Sequence, residues 1–295
     1  MIEQKWLIIN ADDFGLHSAI NQGIQAAHLK GCLTSTTLIT PGSAFEEAVQ
    51  MTQTMPDLSV GLHLTLVGGL PPISPASQVS SLLTNQGFFR DNHISFIKDW
   101  FAGKIKKDHV YQEWSTQIEK TLSAGIEISH LDSHQHLHVL PAFTDLILKL
   151  ADTYSIPAVR IPNEPFTFFA TGPLSPSRII ARNGLTLCAN QAASKWKKKL
   201  SAPDHFFGML AGGQMTLDRW KKLIPHLPEG ISEVMTHPGK ANAELSASFS
   251  WSYHWQEELE ALQSEELQQW LQKYSIRLTN YRNLKDPSPT KNILS

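Results

Sequence analysis

Short apolar runs alternate with helical segments along most of the chain, and this alternation restricts the fold more than any other property of the sequence. Trp6-Leu7-Ile8-Ile9 has the continuous apolar character of a strand buried on both faces, and Asn10-Ala11-Asp12-Asp13-Phe14-Gly15 breaks it with polar and glycine residues. A helix is predicted from Ser18 to Lys30, with Ile20, Ile24 and Ala27 on one stripe and Gly31 as its stop. The pattern recurs at Leu33 to Thr40 before a helix near Ala44 to Met55, at Leu58 to Leu66, and at Ile126 to Asp132 before a helix near Ala142 to Tyr154. Further β runs fall at Pro157 to Ile161, Phe206 to Leu210, Gly230 to Thr236 and Ser275 to Leu278. About eight β runs, mostly separated by helices, predict α/β architecture: a single (β/α) barrel, TIM-like and closed or nearly closed, with its site at the C-terminal ends of the strands. No repeat or low-complexity linker divides the 295 residues, so one domain is predicted over 1–295, with a core of about 5–283 and a tail of about 284–295.

Composition narrows the partners. Hydrophobic residues make up 41% of the chain, enough for a substantial core. The formal charge of −2 gives no basic field of the kind that nucleic-acid binding needs. Cys32 and Cys188 have no CxxC spacing, so neither a disulfide framework nor a cysteine zinc site is indicated. Met-Ile-Glu-Gln-Lys lacks the basic and apolar regions of a secretory signal, and a cytoplasmic location is expected. The chain nevertheless carries 13 histidines, so their positions matter.

Asp12 and Asp13 are adjacent at the end of the first strand. In a regular strand they face opposite sides, so both can serve one site only if the strand ends there and the chain turns. His63 lies alone in an apolar strand, where a satisfied core histidine is the usual reading. Its significance depends on His130-Leu131-Asp132-Ser133-His134-Gln135-His136-Leu137-His138. If that segment is extended, Asp132, His134, His136 and His138 share one face. Clustering imidazoles beside a carboxylate is costly unless something organises them, and a divalent metal held by one or two of them, with Asp132 orienting a ligand from outside, meets that requirement. An exposed His-rich loop is the competing reading. His237 ends another apolar run just before Pro238-Gly239, and Arg160 sits inside an apolar strand where burial would demand a carboxylate partner, Asp12 being available.

Two carboxylates, several imidazoles and an arginine at strand ends suit metal-assisted hydrolysis of an amide or ester. A metal set with an open position acidifies water, a second carboxylate accepts the proton and an opposing histidine serves the leaving group. No serine-hydrolase elbow, Walker loop, HExxH helix or dinucleotide fingerprint competes.

The runs Asn10 to Leu16, Thr34-Ser35-Thr36, Val60 to Leu64, His130 to His138 and Thr236-His237-Pro238 resemble, in order, those of the YdjC/ChbG-like carbohydrate deacetylases, over roughly residues 5–283. The resemblance implies a β/α barrel that removes N-acetyl groups from amino sugars such as chitooligosaccharides with one divalent metal ion, magnesium or zinc. It implies Asp13, His63 and His134 as metal ligands, Asp12 as general base, His237 as general acid or oxyanion stabiliser, and Arg160 as the group orienting Asp12. It assigns no role to His136 or His138, which with Asp132 are candidates for outer support or substrate contact. His17 stands where many relatives carry serine.

Val67 to Pro71, Arg160 to Glu164 and Asp204 to Gly208 look most like the hopanoid-associated HpnK branch. That likeness implies N-acetylglucosaminyl bacteriohopanetetrol as substrate. It would give Phe166, Phe168, Phe169 and the basic cluster Lys195-Trp196-Lys197-Lys198-Lys199 a role in peripheral contact with the inner membrane. The rival readings are a metal-dependent phosphoesterase and a non-catalytic sugar-binding protein, and no heptad or interface segment sets the oligomeric state.

Overall fold

The computed structural model describes residues 4–165 and 176–290, with the side chains of 176–181 outside the description. Seven parallel strands, β1 (Lys5–Phe14), β2 (Ser35–Leu38), β3 (Ser59–Leu64), β4 (Leu131–Ser133), β5 (His205–Phe207), β6 (Gly230–Thr236) and β7 (Ile276–Leu278), form one curved sheet. Its order is β4-β3-β2-β1-β6-β5, and β7 pairs with the start of β1. Beyond β4, Val159 bridges to Leu131 and Ala158 to Ser201, from which the chain runs directly into β5. This is a distorted (β/α) barrel. The described helices are α1 (Ser18–Lys30), α2 (Phe45–Thr52), α3 (His93–Phe101), α4 (Lys107–Ser123), α5 (Thr144–Thr153), α6 (Pro176–Trp196), α7 (Leu217–Leu223), α8 (Asn242–Ser248), α9 (Trp255–Gln263) and α10 (Glu265–Lys273). Among the described residues, no helix is long and apolar enough to cross a membrane.

Three sequence expectations change. β1 does not stop at Ile9 but continues to Phe14, because Asn10 and Ala11 keep ladder partners in both β2 and β6 and Phe14 regains one in β2. β4 begins only at Leu131, and 157–161 joins the sheet by bridges rather than as a full strand. Trp196 is no surface anchor: it is fully buried, donates from Nε1 to the Thr144 carbonyl at 3.0 Å and stacks on His138 at 5.8 Å. Phe166, Phe168 and Phe169 lie outside the described residues.

Strand alternation sorts the barrel into layers. Leu7, Ile9 and Ala11 pack in the main hydrophobic cluster with residues of the surrounding helices, whereas Ile8 packs with Ala158, Ile231 and Tyr281 in a separate cluster. Continuing with the parity of Ile8, Asn10 and Asp12 follow on β1, Glu233 and Met235 on β6, Gly61 and His63 on β3, and His130 and Asp132 at β4. The interior is therefore apolar at one end and densely polar at the other. His130 lies flat on Tyr281, with ring centroids 3.4 Å apart, and Gly61 makes room for it, since a Cβ there would lie only 2.3–2.7 Å from three atoms of the imidazole ring.

Gly61→Ala is expected to displace His130 and lower unfolding free energy by about 1–3 kcal/mol, measured by urea titration. Burial pushes His130 down to about 3 from an ordinary 6.5, so the folded protein keeps it neutral. Between those values the unfolded chain binds the extra proton. The contribution of His130 to stability is thus intact above pH 6.5 and falls towards pH 3, by up to about 1.4 kcal/mol per pH unit. Denaturant curves from pH 7.5 to 4 should show a flatter decline in His130→Gln than in the wild type.

Candidate active site

Arg160 is fully buried and meets three carboxylates from three strands. Its Nη1 and Nη2 donate to Asp12 at 2.8 and 2.7 Å, Nη1 also lies 2.5 Å from Asp132, and Nε donates to Glu233 at 2.8 Å. Asp12 was foreseen as a partner; Asp132 and Glu233 were not. Glu233 in turn accepts from the Tyr281 hydroxyl at 2.5 Å. The three carboxylates hold Arg160 well above the usual guanidinium range against the opposing pull of burial. Burial pushes Asp12 up, but Arg160 and His63 outweigh it and hold the carboxyl well below the ordinary range. Asn10 Nδ2 adds a bond to Asp12 at 3.0 Å.

The paired aspartates reach one site by a route the parity argument did not anticipate. Ala11 pairs with Thr36 and Phe14 with Leu38, so β1 carries one residue more than β2 between these points, and Asp13 adopts φ 69°. This β-bulge aims Asp13 to the same side as Asp12 without ending the strand. His63 Nε2 consequently lies 3.9 Å from Asp12 Oδ2 and 3.7 Å from Asp13 Oδ1.

The histidine segment also departs from the expected extended face. The chain is extended only to Ser133; His134–Val139 then coils into tight 3-10 turns, with Gln135 and His136 at φ 54° and 57°. Its histidines diverge, and none of them is an exposed loop residue. His134 Nδ1 lies 3.2 Å from Asp13 Oδ1. His136 is buried edge-on to Phe206, and its Nδ1 has no hydrogen-bond partner among the described residues. Both ring nitrogens of His138 are occupied, by Ser133 Oγ at 2.7 Å and the Arg160 carbonyl at 3.1 Å, which makes it a brace.

Asp13, His63 and His134 can hold a metal ion, each offering a ligand atom from a buried position. The fit is chemical as well as spatial. Asp13 Oδ1 is buried without a hydrogen bond although two imidazole nitrogens face it. Asp132 binds His63 Nδ1 at 2.7 Å, which leaves Nε2 directed at Asp13 and is how outer carboxylates orient metal-binding histidines. Burial alone would lower His63, but Asp132, Asp12 and Asp13 raise it to about 9. A pocket negative enough to retain that proton is equally suited to a cation. The alternative set of Asp12, His63 and Asp132 is less suitable because both aspartates are committed to Arg160.

His237 follows β6, and its positive form would stabilise the charges of both Asp12 and Asp13. Its backbone N–H donates to Glu258 at 2.6 Å, while its Nδ1 has no hydrogen-bond partner. Glu258, also bound by the Met215 N–H at 2.9 Å, is a support that sequence reasoning missed: it lies in a helix and looks like any surface acid. Glu233 did carry a signal, as a lone charge in an apolar strand.

The profile of a family described as "YdjC-like protein" matches residues 6–273. A carbohydrate deacetylase of Brevibacillus brevis is 31% identical over 94% of this chain and 99% of its own length. One from Thermoanaerobacter pseudethanolicus is 30% identical over 95% and 100%. A crystal structure from Enterococcus faecalis, provisionally named a cellobiose-phosphate cleavage protein, superposes with a TM-score of 0.77 at 28% identity, covering 95% of this chain and 99% of that one.

Arg160→Met leaves three buried carboxylates without their common cation and is expected to cost about 3–5 kcal/mol in urea unfolding. Arg160→Lys keeps the charge but loses the planar fork, and should recover only part of that loss.

Proposed function

The chain belongs to the YdjC-like family, and we propose that it is a metal-dependent carbohydrate deacetylase that hydrolyses the acetamide of an N-acetylglucosamine unit to acetate and the free amine. The observation that carries this reading is the buried meeting of Asp13, His63 and His134 beside an ionised Asp12, in a chain similar over nearly its whole length to carbohydrate deacetylases.

A divalent ion on Asp13, His63 and His134 supplies, when bound, a Lewis acid and an acidified water. Asp12 is the residue that would accept the proton of the attacking water. Arg160 fixes both Asp12 oxygens and keeps the group ionised, and sharing that guanidinium with Asp132 and Glu233 limits how far it quenches Asp12 as an acceptor. Asp132 fixes which nitrogen His63 presents. His237 gives a proton to the nitrogen as the carbon–nitrogen bond breaks, and Glu258 positions its backbone. Two imidazoles and one carboxylate favour zinc over magnesium, which prefers more oxygen ligands.

The finer substrate reading is a hopanoid glycolipid, N-acetylglucosaminyl bacteriohopanetetrol, with a chitooligosaccharide as the second candidate. Two segments behind the HpnK likeness touch: Glu164 accepts from the Gly208 N–H at 2.7 Å and also from those of Met209 and Leu210. Part of that likeness therefore concerns how two loops join. Residues 1–295 act as one catalytic domain in this reading.

Mass spectrometry on acetylated glycans and glycolipids should show loss of one acetyl group, with acetate rather than phosphate released. Asp12→Asn should retain metal by elemental analysis while activity falls at least about 100-fold, whereas His63→Ala and His134→Ala should lose the metal. Full activity in Asp12→Asn would remove it as the base.

A further inference from the structure

Glu164 is fully buried, and its carboxylate gathers three consecutive backbone N–H groups. Oε1 accepts from Gly208 at 2.7 Å and Met209 at 3.1 Å, and Oε2 from Leu210 at 2.9 Å. Successive N–H groups turned to one point make a nest for an anion, and Gly208 supplies the positive φ, 107°, that turns them. Arg182 of α6 is the charged side chain that faces the group, and it donates to the Glu164 carbonyl oxygen. Burial pushes Glu164 up to about 7 from an ordinary 4.5, against the pull of the three N–H groups and of Arg182. Between those values the folded chain holds a proton there that the unfolded chain has released, so forming the carboxylate costs stability as pH rises through that window. An anion placed at such a cost needs a reason other than stability.

The loop that Glu164 holds, 208–215, meets the surroundings of His237 at three points. Gly208 lies against the end of β6, where a Cβ would come within 2.5 Å of the Met235 carbonyl oxygen, two residues before His237. Gly213 leaves the space that the Tyr253 ring fills, and that ring lies 4.8 Å from the His237 imidazole. The Met215 N–H donates to Glu258 Oε1 at 2.9 Å, while Glu258 Oε2 accepts from the His237 N–H at 2.6 Å. Between these points the Gly212 N–H donates to the Met209 carbonyl at 3.2 Å and the Gln214 N–H to the Ala211 carbonyl at 2.7 Å, which stiffens the loop. A shift at 208–210 is thus carried to the strand, the neighbouring ring and the carboxylate that together place His237.

We propose that Glu164 is a positioning residue for His237, setting through the 208–215 loop where the imidazole stands when it serves the leaving nitrogen. This rests on the deacetylase reading, in which His237 is the proton donor. Glu164 acts as a carboxylate, because only then do both oxygens accept freely and meet all three N–H groups. Protonation puts a donor on one oxygen and weakens it as an acceptor, which slackens the hold on the loop. The hold is therefore complete above about pH 7 and loosened below it. Glu164→Gln imposes a comparable loss at every pH, since an amide offers one accepting oxygen beside a donor.

The test uses the metal-loaded full chain with N-acetylglucosaminyl bacteriohopanetetrol as substrate. At about pH 8, Glu164→Gln should lower kcat about 10–100-fold with KM within about threefold, and the ratio of wild type to variant should shrink towards 1 by about pH 6. The two proteins share every other titrating group, so the ratio isolates Glu164. Backbone amide exchange followed by mass spectrometry at about pH 8 should be about tenfold faster in the variant over 208–215 and around His237, and equal in both over β2. A ratio that does not change with pH, or exchange that quickens over 208–210 but not around His237, would overturn the proposal. If Glu164→Gln does not fold, the wild type alone decides. Its protection over 208–215, corrected for the intrinsic pH dependence of exchange, should fall from about pH 8 to 6 while β2 keeps its own, and equal protection at both overturns the proposal. Exchange that quickens around His237 in a chain releasing no acetate sinks the deacetylase reading and keeps the positioning. Acetate release with a pH-independent ratio does the reverse.

Discussion

The interaction on which the site depends is the contact of Arg160 with Asp12, Asp132 and Glu233. It ties β1, β4 and β6 to the 157–161 segment inside the barrel. A buried charge cluster of this kind is a poor source of net stability, because desolvation of each ion consumes most of the attraction. Its consequence is positional. Asp12 has no freedom to rotate, Asp132 is fixed where it can bind His63, and Glu233 is held between Arg160 and Tyr281. With one guanidinium serving three acids, the cluster keeps an excess of negative charge towards Asp13, where a cation is needed.

The bulge at Asp13 couples that cluster to the three residues that could hold a metal ion, Asp13, His63 and His134. A regular strand would have sent Asp13 outward among the helix-facing residues with Ala11, and a strand ending at Ile9 would have lost the ladder that fixes Asp12. One extra residue at positive φ, of order 1 kcal/mol in strain for a non-glycine, gives both aspartates the same outlook. The left-handed pair Gln135 and His136 does comparable work on β4, turning His134 towards Asp13 and sending His138 back under Arg160.

These features explain what could and could not be read from the sequence. Apolar runs located the strands because burial on both faces leaves a continuous signal, and β6 was legible to its end residues. Asp13, His63 and His134 were legible as a set through the family likeness, while parity alone gave the wrong geometry for the histidine segment. Parity assumes regular dihedrals, and both the bulge in β1 and the turns after β4 depart from them. Trp196 was misread because a tryptophan among lysines suggests a surface, yet on a helix one side chain can turn inward while its neighbours stay solvated. Glu258 had no legible signal, since its role depends on a contact between distant segments.

The direction of the imidazole rings follows from the same layering. His130 is neutral and stacked, His138 has both nitrogens occupied, and only His63 and His134 present a nitrogen to Asp13. The difference lies in depth. At the level of Tyr281 the interior is closed by apolar side chains, and the His130 imidazole there stays neutral, with one hydrogen bond between Nδ1 and Ser129 Oγ at 2.9 Å and its face on the Tyr281 ring. One layer nearer the strand ends, the carboxylates outnumber the cations, and an imidazole nitrogen left unpaired by protein faces a field that favours a divalent ion. The clustering of histidines in the sequence thus reflects two opposite surroundings, a neutral polar core and a rim whose charge suits a cation, met at the two ends of one short strand.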